Sequence, residues 1–213
     1  MAHDEKILKF IEGQEFEMMS VFPQTIGIAK ADKETAIKNV DTIHKYIDEG
    51  DFADGFIYHT LHDIPEFESL NTWVDEQVNK YTQKLKFPDK YVCTESWIHD
   101  YNVYSHQPWH AHAGNVISAV YIAWARPYTD SNLYFKNPVG EDMMNPYNIT
   151  PNSDQRKFGE VFTEWTYPQW SFPSVPGCLY IFRSYMEHMV QLKKNTDRRT
   201  VLAYNYNKES NGK

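Results

Sequence analysis

His110-Ala111-His112-Ala113-Gly114-Asn115-Val116-Ile117-Ser118-Ala119-Val120-Tyr121-Ile122 is the stretch on which the fold turns. Two histidines one residue apart lead straight into an apolar segment of strand composition. In a strand, residues i and i+2 share a face, so His110 and His112 point the same way whatever Ala111 does. Neutral imidazole suits iron, zinc, copper and nickel. Alone, the pair is weak: it also reads as two partly exposed histidines at a strand start. A third histidine strengthens it. Pro176-Gly177 launches a second buried strand, Cys178-Leu179-Tyr180-Ile181-Phe182, followed by His188 and, eleven residues later, Arg199. Two histidines on one strand and a third returned by the fold can hold a divalent metal on one side and leave the other side open.

Composition narrows the alternatives. The chain has 213 residues, enough for a sizeable core in a single domain. The formal charge of −8 argues against a general nucleic-acid surface, because phosphate contacts come from Lys and Arg. The two cysteines, Cys93 and Cys178, sit in apolar runs and read as buried free thiols. The first residues are polar with no apolar segment behind them, and no run approaches a membrane span. A soluble cytoplasmic protein is expected. Aromatic residues make up 15% of the chain, which suits aromatic strands.

The helices come first. Asp32 is a plausible N-cap, and Ala36, Ile37, Val40, Ile43 and Ile47 recur at helical spacing before Gly50. A second helix is expected from Asp63, with Asp63 and Glu66 as a capping box and Pro65 in the first turn. Its stripe is Phe67, Leu70, Val74, Val78, Tyr81 and Leu85, and Pro88 ends it. Period-two patterns predict strands at 21–29, 91–99, 116–124, 131–135, 161–166, 178–182 and 200–206. The stretch 137–157 is too long for a hairpin and reads as a lid or a surface excursion. Helices followed by many short strands predict an α+β, mainly β chain with the N-terminal helices packed on one face of the β core.

From Trp97 onward the sequence resembles the 2-oxoglutarate/Fe(II)-dependent oxygenase superfamily. It is most similar to the bacterial and phage-associated HxH group, which is itself like the prolyl hydroxylases. The resemblance rests on Trp97, His110-x-His112, Ser118-Ala119-Val120-Tyr121, Leu133-Tyr134-Phe135-Lys136-Asn137-Pro138, Pro176-Gly177-x-Leu179-x-Ile181-Phe182, His188 and Arg199-Thr200-Val201-Leu202-Ala203-Tyr204-Asn205. It implies a double-stranded β-helix (jelly-roll, cupin-like) core over 91–207, with residues 1–90 as a helical buttress carrying an opening strand. It also implies iron(II) and 2-oxoglutarate as cofactors, and hydroxylation of a small molecule or a protein side chain. His110 and His188 stand where the first and last iron ligands stand. Arg199 stands where a basic residue meets the far carboxylate of 2-oxoglutarate; Arg198 is its competitor. Asn205 shares the face of Arg199 by parity, and Tyr121 is a candidate hydrogen-bond donor to the cosubstrate.

One departure stands out. The superfamily pairs two histidines with a carboxylate, and here His112 holds the carboxylate position. His112 is a third ligand, or a water or chloride takes its place, or a carboxylate such as Asp100 or Asp130 completes the set. A three-histidine cupin that does not use 2-oxoglutarate is the first alternative, although residues 115–118 lack the usual cupin glutamate. A non-enzymatic jelly-roll binding module is the second. His99 shares the face of Trp97 and is positioned to approach the site. His106 reads as a surface residue, His44, His59 and His62 as structural, and Trp97, Trp109, Tyr121, Trp165 and Trp170 as mainly core.

Overall fold

Residues 199–208 form the strand around which everything else is arranged. The structure, a computed structural model, describes residues 24–50, 56–58, 60–126, 131–139 and 168–209. In chain order the elements are β1 (Gly27–Lys30), α1 (Lys33–Glu49), β2 (Phe56–Tyr58), two 3-10 turns (Leu61–Asp63 and Pro65–Phe67), α2 (Glu68–Lys84), β3 (Tyr91–Tyr101), β4 (Gln107–His110), β5 (Ile117–Trp124), β6 (Leu133–Lys136), β7 (Gln169–Phe172), β8 (Cys178–Arg183), β9 (His188–Val190) and β10 (Arg199–Lys208). The strands make a six-stranded sheet, β1-β8-β5-β10-β3-β2, and a four-stranded sheet, β4-β9-β6-β7. Every pairing is antiparallel. This is the α+β, mainly β jelly-roll arrangement that the sequence predicts.

The larger sheet is buried on both faces, and strand alternation sorts its residues. Ala119, Tyr121, Leu179, Ile181, Leu202, Tyr204 and Tyr206 meet the helices through Ile43, Leu70, Val74 and Val78. Ile122, Tyr180, Phe182 and Val201 meet Leu133, Phe135 and Val190 of the smaller sheet. The successive residues of β8 thus alternate between two cores.

α1 begins as expected: Asp32 accepts from Thr35 N at 2.9 Å and from Thr35 Oγ1 at 2.7 Å. Its stripe is narrower than the spacing predicts, since Ile37 is 51% exposed. α2 departs at its start. Asp63 and Glu66 form no capping box; each lies in a separate 3-10 turn without a side-chain cap, and the α-helix opens at Glu68. The reason is Pro65, which holds Ile64 extended (φ −85°, ψ 121°) and stops a helix from running through it. Downstream the stripe holds, and Phe67, Leu70, Val74, Val78 and Tyr81 are buried. The chain leaves α2 through Lys86 at φ 55°.

Strands β2, β4, β7 and β9 are three or four residues long, too short to show a period. Pro108 is tolerated in β4 because β4 is an edge strand. Trp109 and Trp170 are 36% and 51% exposed and do not belong to the core. The opening strand is shorter than expected: β1 starts at Gly27, and residues 21–23 lie outside the described residues. The strand expected at 161–166, most of the 137–157 stretch, His59, Asp130 and Trp165 also lie outside them. Among the described residues no helix is long and apolar enough to cross a membrane.

Gly177 joins three elements. Its N–H donates to Ile122 O at 2.8 Å, and its carbonyl accepts from Ala31 N at 2.9 Å. Its φ is +79°, and a Cβ there would stand 3.0 Å from Ala36 Cβ on α1. Gly177→Ala therefore combines a left-handed backbone with overpacking and should cost about 2–3 kcal/mol. Asp32→Ala should cost about 1 kcal/mol through the lost cap. Urea unfolding midpoints measure both; an unchanged midpoint for Gly177→Ala would contradict this account.

Candidate metal centre

His110 ends β4 and His188 opens β9, and the two are direct partners in the antiparallel ladder. Their rings lie 4.2 Å apart between centroids. His112, two residues beyond His110, is held by its own backbone, whose N–H donates to Ser184 O at 2.9 Å. Its ring centroid is 5.0 Å from those of both other histidines. One ring nitrogen from each of the three lies within 4.8 Å of the others. Among the described residues no carboxylate joins this group.

Hydrogen bonds orient two of the rings alike. His110 Nδ1 donates to Pro108 O at 2.8 Å, and His188 Nδ1 donates to Met186 O at 2.9 Å. A carbonyl only accepts, so each Nδ1 keeps its proton and each Nε2 presents a lone pair. His112 is held differently. Its Nδ1 faces the Asn205 side-chain Nδ2 at 3.5 Å. That amide is oriented by Glu95, which accepts from Nδ2 at 2.8 Å, and by Ser118, which donates to Asn205 Oδ1 at 2.8 Å. Burial pushes His188 down to about 3, opposed by the Met186 carbonyl and helped by the other two histidines. Burial and His110 push His112 down to about 4, opposed by Glu95. Both are neutral at pH 7, the state a metal requires.

A cavity of about 250 Å³ opens beside the cluster. Trp97, His99, Tyr101, Arg199, Val201, Ala203 and Asn205 line it, all odd-numbered residues of β3 and β10. Arg199 is fully buried. Its Nε donates to Ser174 Oγ at 3.2 Å, and its guanidinium lies over the Tyr101 ring at 4.4 Å. Nη1 and Nη2 are buried with no hydrogen-bond partner among the described residues. Arg198 turns to the opposite face and pairs with Asp100 at 2.9 Å and Asp48 at 3.0 Å. Asp100 also accepts from Thr200 Oγ1 at 2.6 Å, so its carboxylate is engaged away from the histidines.

Tyr121 is a correction. It faces the helices, not the cavity: its hydroxyl accepts from Asn39 Nδ2 at 3.2 Å and its ring packs edge-on against Trp73. Its neighbour Val120 lines the cavity instead. Glu95, Tyr101 and Ser174 escaped the sequence reading. Glu95 and Tyr101 carried a signal, since they share the parity of Trp97 and His99; Ser174 lies in a loop and carried none. His99 does reach the site, stacked on Tyr101 at 3.6 Å, while His106 is exposed and His62 is tied to Ser96.

A family model described as "Putative 2OG-Fe(II) oxygenase" matches residues 95–205, which takes in the whole constellation. The chain belongs to the 2OG-Fe(II) oxygenases. Similar folds include AviO1 from Streptomyces viridochromogenes Tue57 (14% identity over 89% of this chain and 93% of that one, TM-score 0.60). They also include a Pseudomonas putida prolyl-4-hydroxylase (12%, 87% and 94%, 0.60) and HygX from Streptomyces hygroscopicus with nickel and 2-oxoglutarate bound (10%, 88% and 84%, 0.61). No curated protein sequence matches the chain. As a 2OG-Fe(II) oxygenase it is an enzyme whose cofactors are iron(II) and 2-oxoglutarate, which sets aside the cupin and binding-module readings. The cavity suits that pair: a cluster of three imidazoles for the metal and, for a carboxylate, a buried guanidinium whose Nη1 and Nη2 have no partner among the described residues.

His99 supplies a pH test of this electrostatic picture. Burial and the Arg199 charge push it down to about 4, against the pull of Asp100. In the unfolded chain its value returns to about 6.5, so the unfolded state binds more protons between those limits. Stability is then full above about pH 6.5 and lost as pH falls towards 4, with His99 contributing up to about 3 kcal/mol. His112 and His188 act in the same direction. His99→Gln should flatten the slope of unfolding free energy against pH part-way; an unchanged slope would reject the assignment.

Proposed function

We propose that His110, His112 and His188 hold the iron, that Arg199 receives the distal carboxylate of 2-oxoglutarate, and that the enzyme hydroxylates a small molecule or a protein side chain. The observation that carries this reading is Arg199. A fully buried guanidinium spends one N–H on Ser174, and both Nη groups have no acceptor among the described residues, in the same cavity as the histidines. A buried charge with unused donors is costly, and a carboxylate matches the planar fork bidentately.

When bound, iron and 2-oxoglutarate supply the oxidising chemistry, consuming dioxygen and converting the diacid to succinate and carbon dioxide. The chain does the positioning. Pro108 and Met186 carbonyls keep the Nε2 lone pairs of His110 and His188 available. Asn205 stands against the His112 ring at 3.5 Å, with its own amide held by Glu95 and Ser118. Tyr101 stacks under the guanidinium and Ser174 fixes its rotation, so Arg199 is oriented before any ligand arrives. Val201 and Ala203 make the floor between Arg199 and Asn205 apolar, which excludes water from the reacting region. Two free thiols, Cys93 half-buried and Cys178 buried, agree with work in the reducing cytoplasm.

Calorimetric titrations with Ni(II) and then 2-oxoglutarate test the assignment. Arg199→Ala should keep metal binding and weaken 2-oxoglutarate by about 100-fold or more, the cost of a lost charge-assisted pair. His188→Ala should lose the metal. Retention of both affinities in Arg199→Ala would refute the role given to that residue.

A further inference from the structure

We infer that Glu95 selects the substrate, and that the substrate carries an ammonium group. The inference rests on the reading above, which gives the Arg199 end of the cavity to 2-oxoglutarate. In the β3–β10 ladder, Arg199 faces Tyr101 and Asn205 faces Glu95. Six residues of strand separate Glu95 from Tyr101, about 20 Å. The imidazoles stand towards the Glu95 end: the His112 ring lies 5.5 Å from Trp97 and its Nδ1 faces the Asn205 amide. The cavity therefore has a fixed cation at one end and a carboxylate beyond the metal cluster at the other.

The state of that carboxylate is informative. Glu95 Oε2 accepts from Asn205 Nδ2 at 2.8 Å and from Asn115 Nδ2 at 3.1 Å. Asn115 is in turn held by Asn207, whose Nδ2 donates to Asn115 Oδ1 at 2.7 Å. The side chain is thus braced from β10 and from the loop before β5. Oε1 has no protein donor, and no Lys, Arg or His pairs with Glu95 among the described residues. Bracing two amides needs only a carbonyl, which glutamine would offer equally well. What the carboxylate adds is a negative charge with free acceptor capacity. It is the one acidic residue among the described residues that line the cavity. Trp97 stands beside it on the same strand face, giving a carboxylate next to an aromatic wall. Both attract an ammonium group, through a charge-assisted hydrogen bond and through the ring face.

The probes are matched pairs: cadaverine against 1,5-pentanediol, D-glucosamine against D-glucose, and a lysine-containing tripeptide against its norleucine counterpart. Binding is read by ligand-observed NMR on the apo protein and on protein loaded with Ni(II) and 2-oxoglutarate, which does not turn over. Succinate release by the Fe(II) enzyme is the second readout. At least one amine should bind about tenfold or more tightly than its neutral partner. Glu95→Gln should remove that preference by about 10- to 100-fold in protein saturated with Ni(II) and 2-oxoglutarate. Glu95→Asp should keep part of it. Equal binding of every pair by the wild type, or a preference that survives Glu95→Gln, overturns the inference. Failure of the wild type to bind Ni(II) and 2-oxoglutarate would instead overturn the preceding assignment, and the apo measurement would still decide this one.

Discussion

The register of β10 is the constraint on which the rest depends. Its odd residues Arg199, Val201, Ala203 and Asn205 face the cavity, and its even residues Leu202, Tyr204 and Tyr206 face the helices. A slip of one residue would drive Arg199 into the helix core and Tyr204 into the active site. Two hydrogen bonds lock the phase. Tyr204 Oη donates to Asn71 Oδ1 at 3.2 Å, and Tyr206 Oη donates to Asp75 Oδ1 at 2.7 Å. Asn71 and Asp75 are one helical turn apart on α2, a rise of about 6 Å. Tyr204 and Tyr206 are one strand repeat apart, about 6.6 Å. The two periods nearly coincide, so a helix that touches no part of the cavity still sets which side chains enter it.

That register separates two adjacent arginines by function. Arg198 spends its charge on Asp48 and Asp100 at a half-exposed surface, where an ion pair is worth little. Arg199 is carried fully inside with an aromatic face and one hydroxyl for company. The desolvation of such a cation costs several kcal/mol and is only partly offset by Tyr101 and Ser174. The protein tolerates this where the fold is otherwise consistent: apolar alternation in β5 and β8, a capped α1, and a continuous stripe on α2. A local violation of packing logic inside such a frame marks a place shaped for a ligand.

The same physics explains what could be read in advance. Arg199 and Asn205 were legible together because parity holds within one unbroken strand. Tyr121 was misread against the parity of the histidines: even-numbered His110, His112 and Val120 all line the cavity, although Gly114 at φ +88° lies between them, and odd-numbered Tyr121 turns to the helices. The false capping box at Asp63 came from matching residue types while Ile64-Pro65 excluded the helix between them. The short strands β4 and β9, which bring His110 opposite His188, have no period to detect. Their pairing appears only once the larger sheet has placed their ends. Glu95 shares the inward parity of Trp97 and His99, but an acidic residue in a strand is ordinarily a solvent-facing one, and that expectation outweighed the parity.

The third histidine and Glu95 belong to one electrostatic arrangement. In the proposed ligand set, a carboxylate would place a negative charge on the metal itself, whereas an imidazole at position 112 places none there. A divalent ion and a dianionic cosubstrate then cancel, and the Arg199 cation leaves one positive charge in the cavity for Glu95 to balance. In the proposed arrangement the negative charge stands further out, on a side chain whose partner Asn205 faces His112. There it acts on whatever enters the cavity while the ligand set stays uncharged. Exchanging His112 for aspartate would return charge to the metal, set a second carboxylate near Glu95, and make the two compete for the same cation. On the proposed assignment, Glu95 keeps a negative charge in the cavity beside a ligand position that carries none.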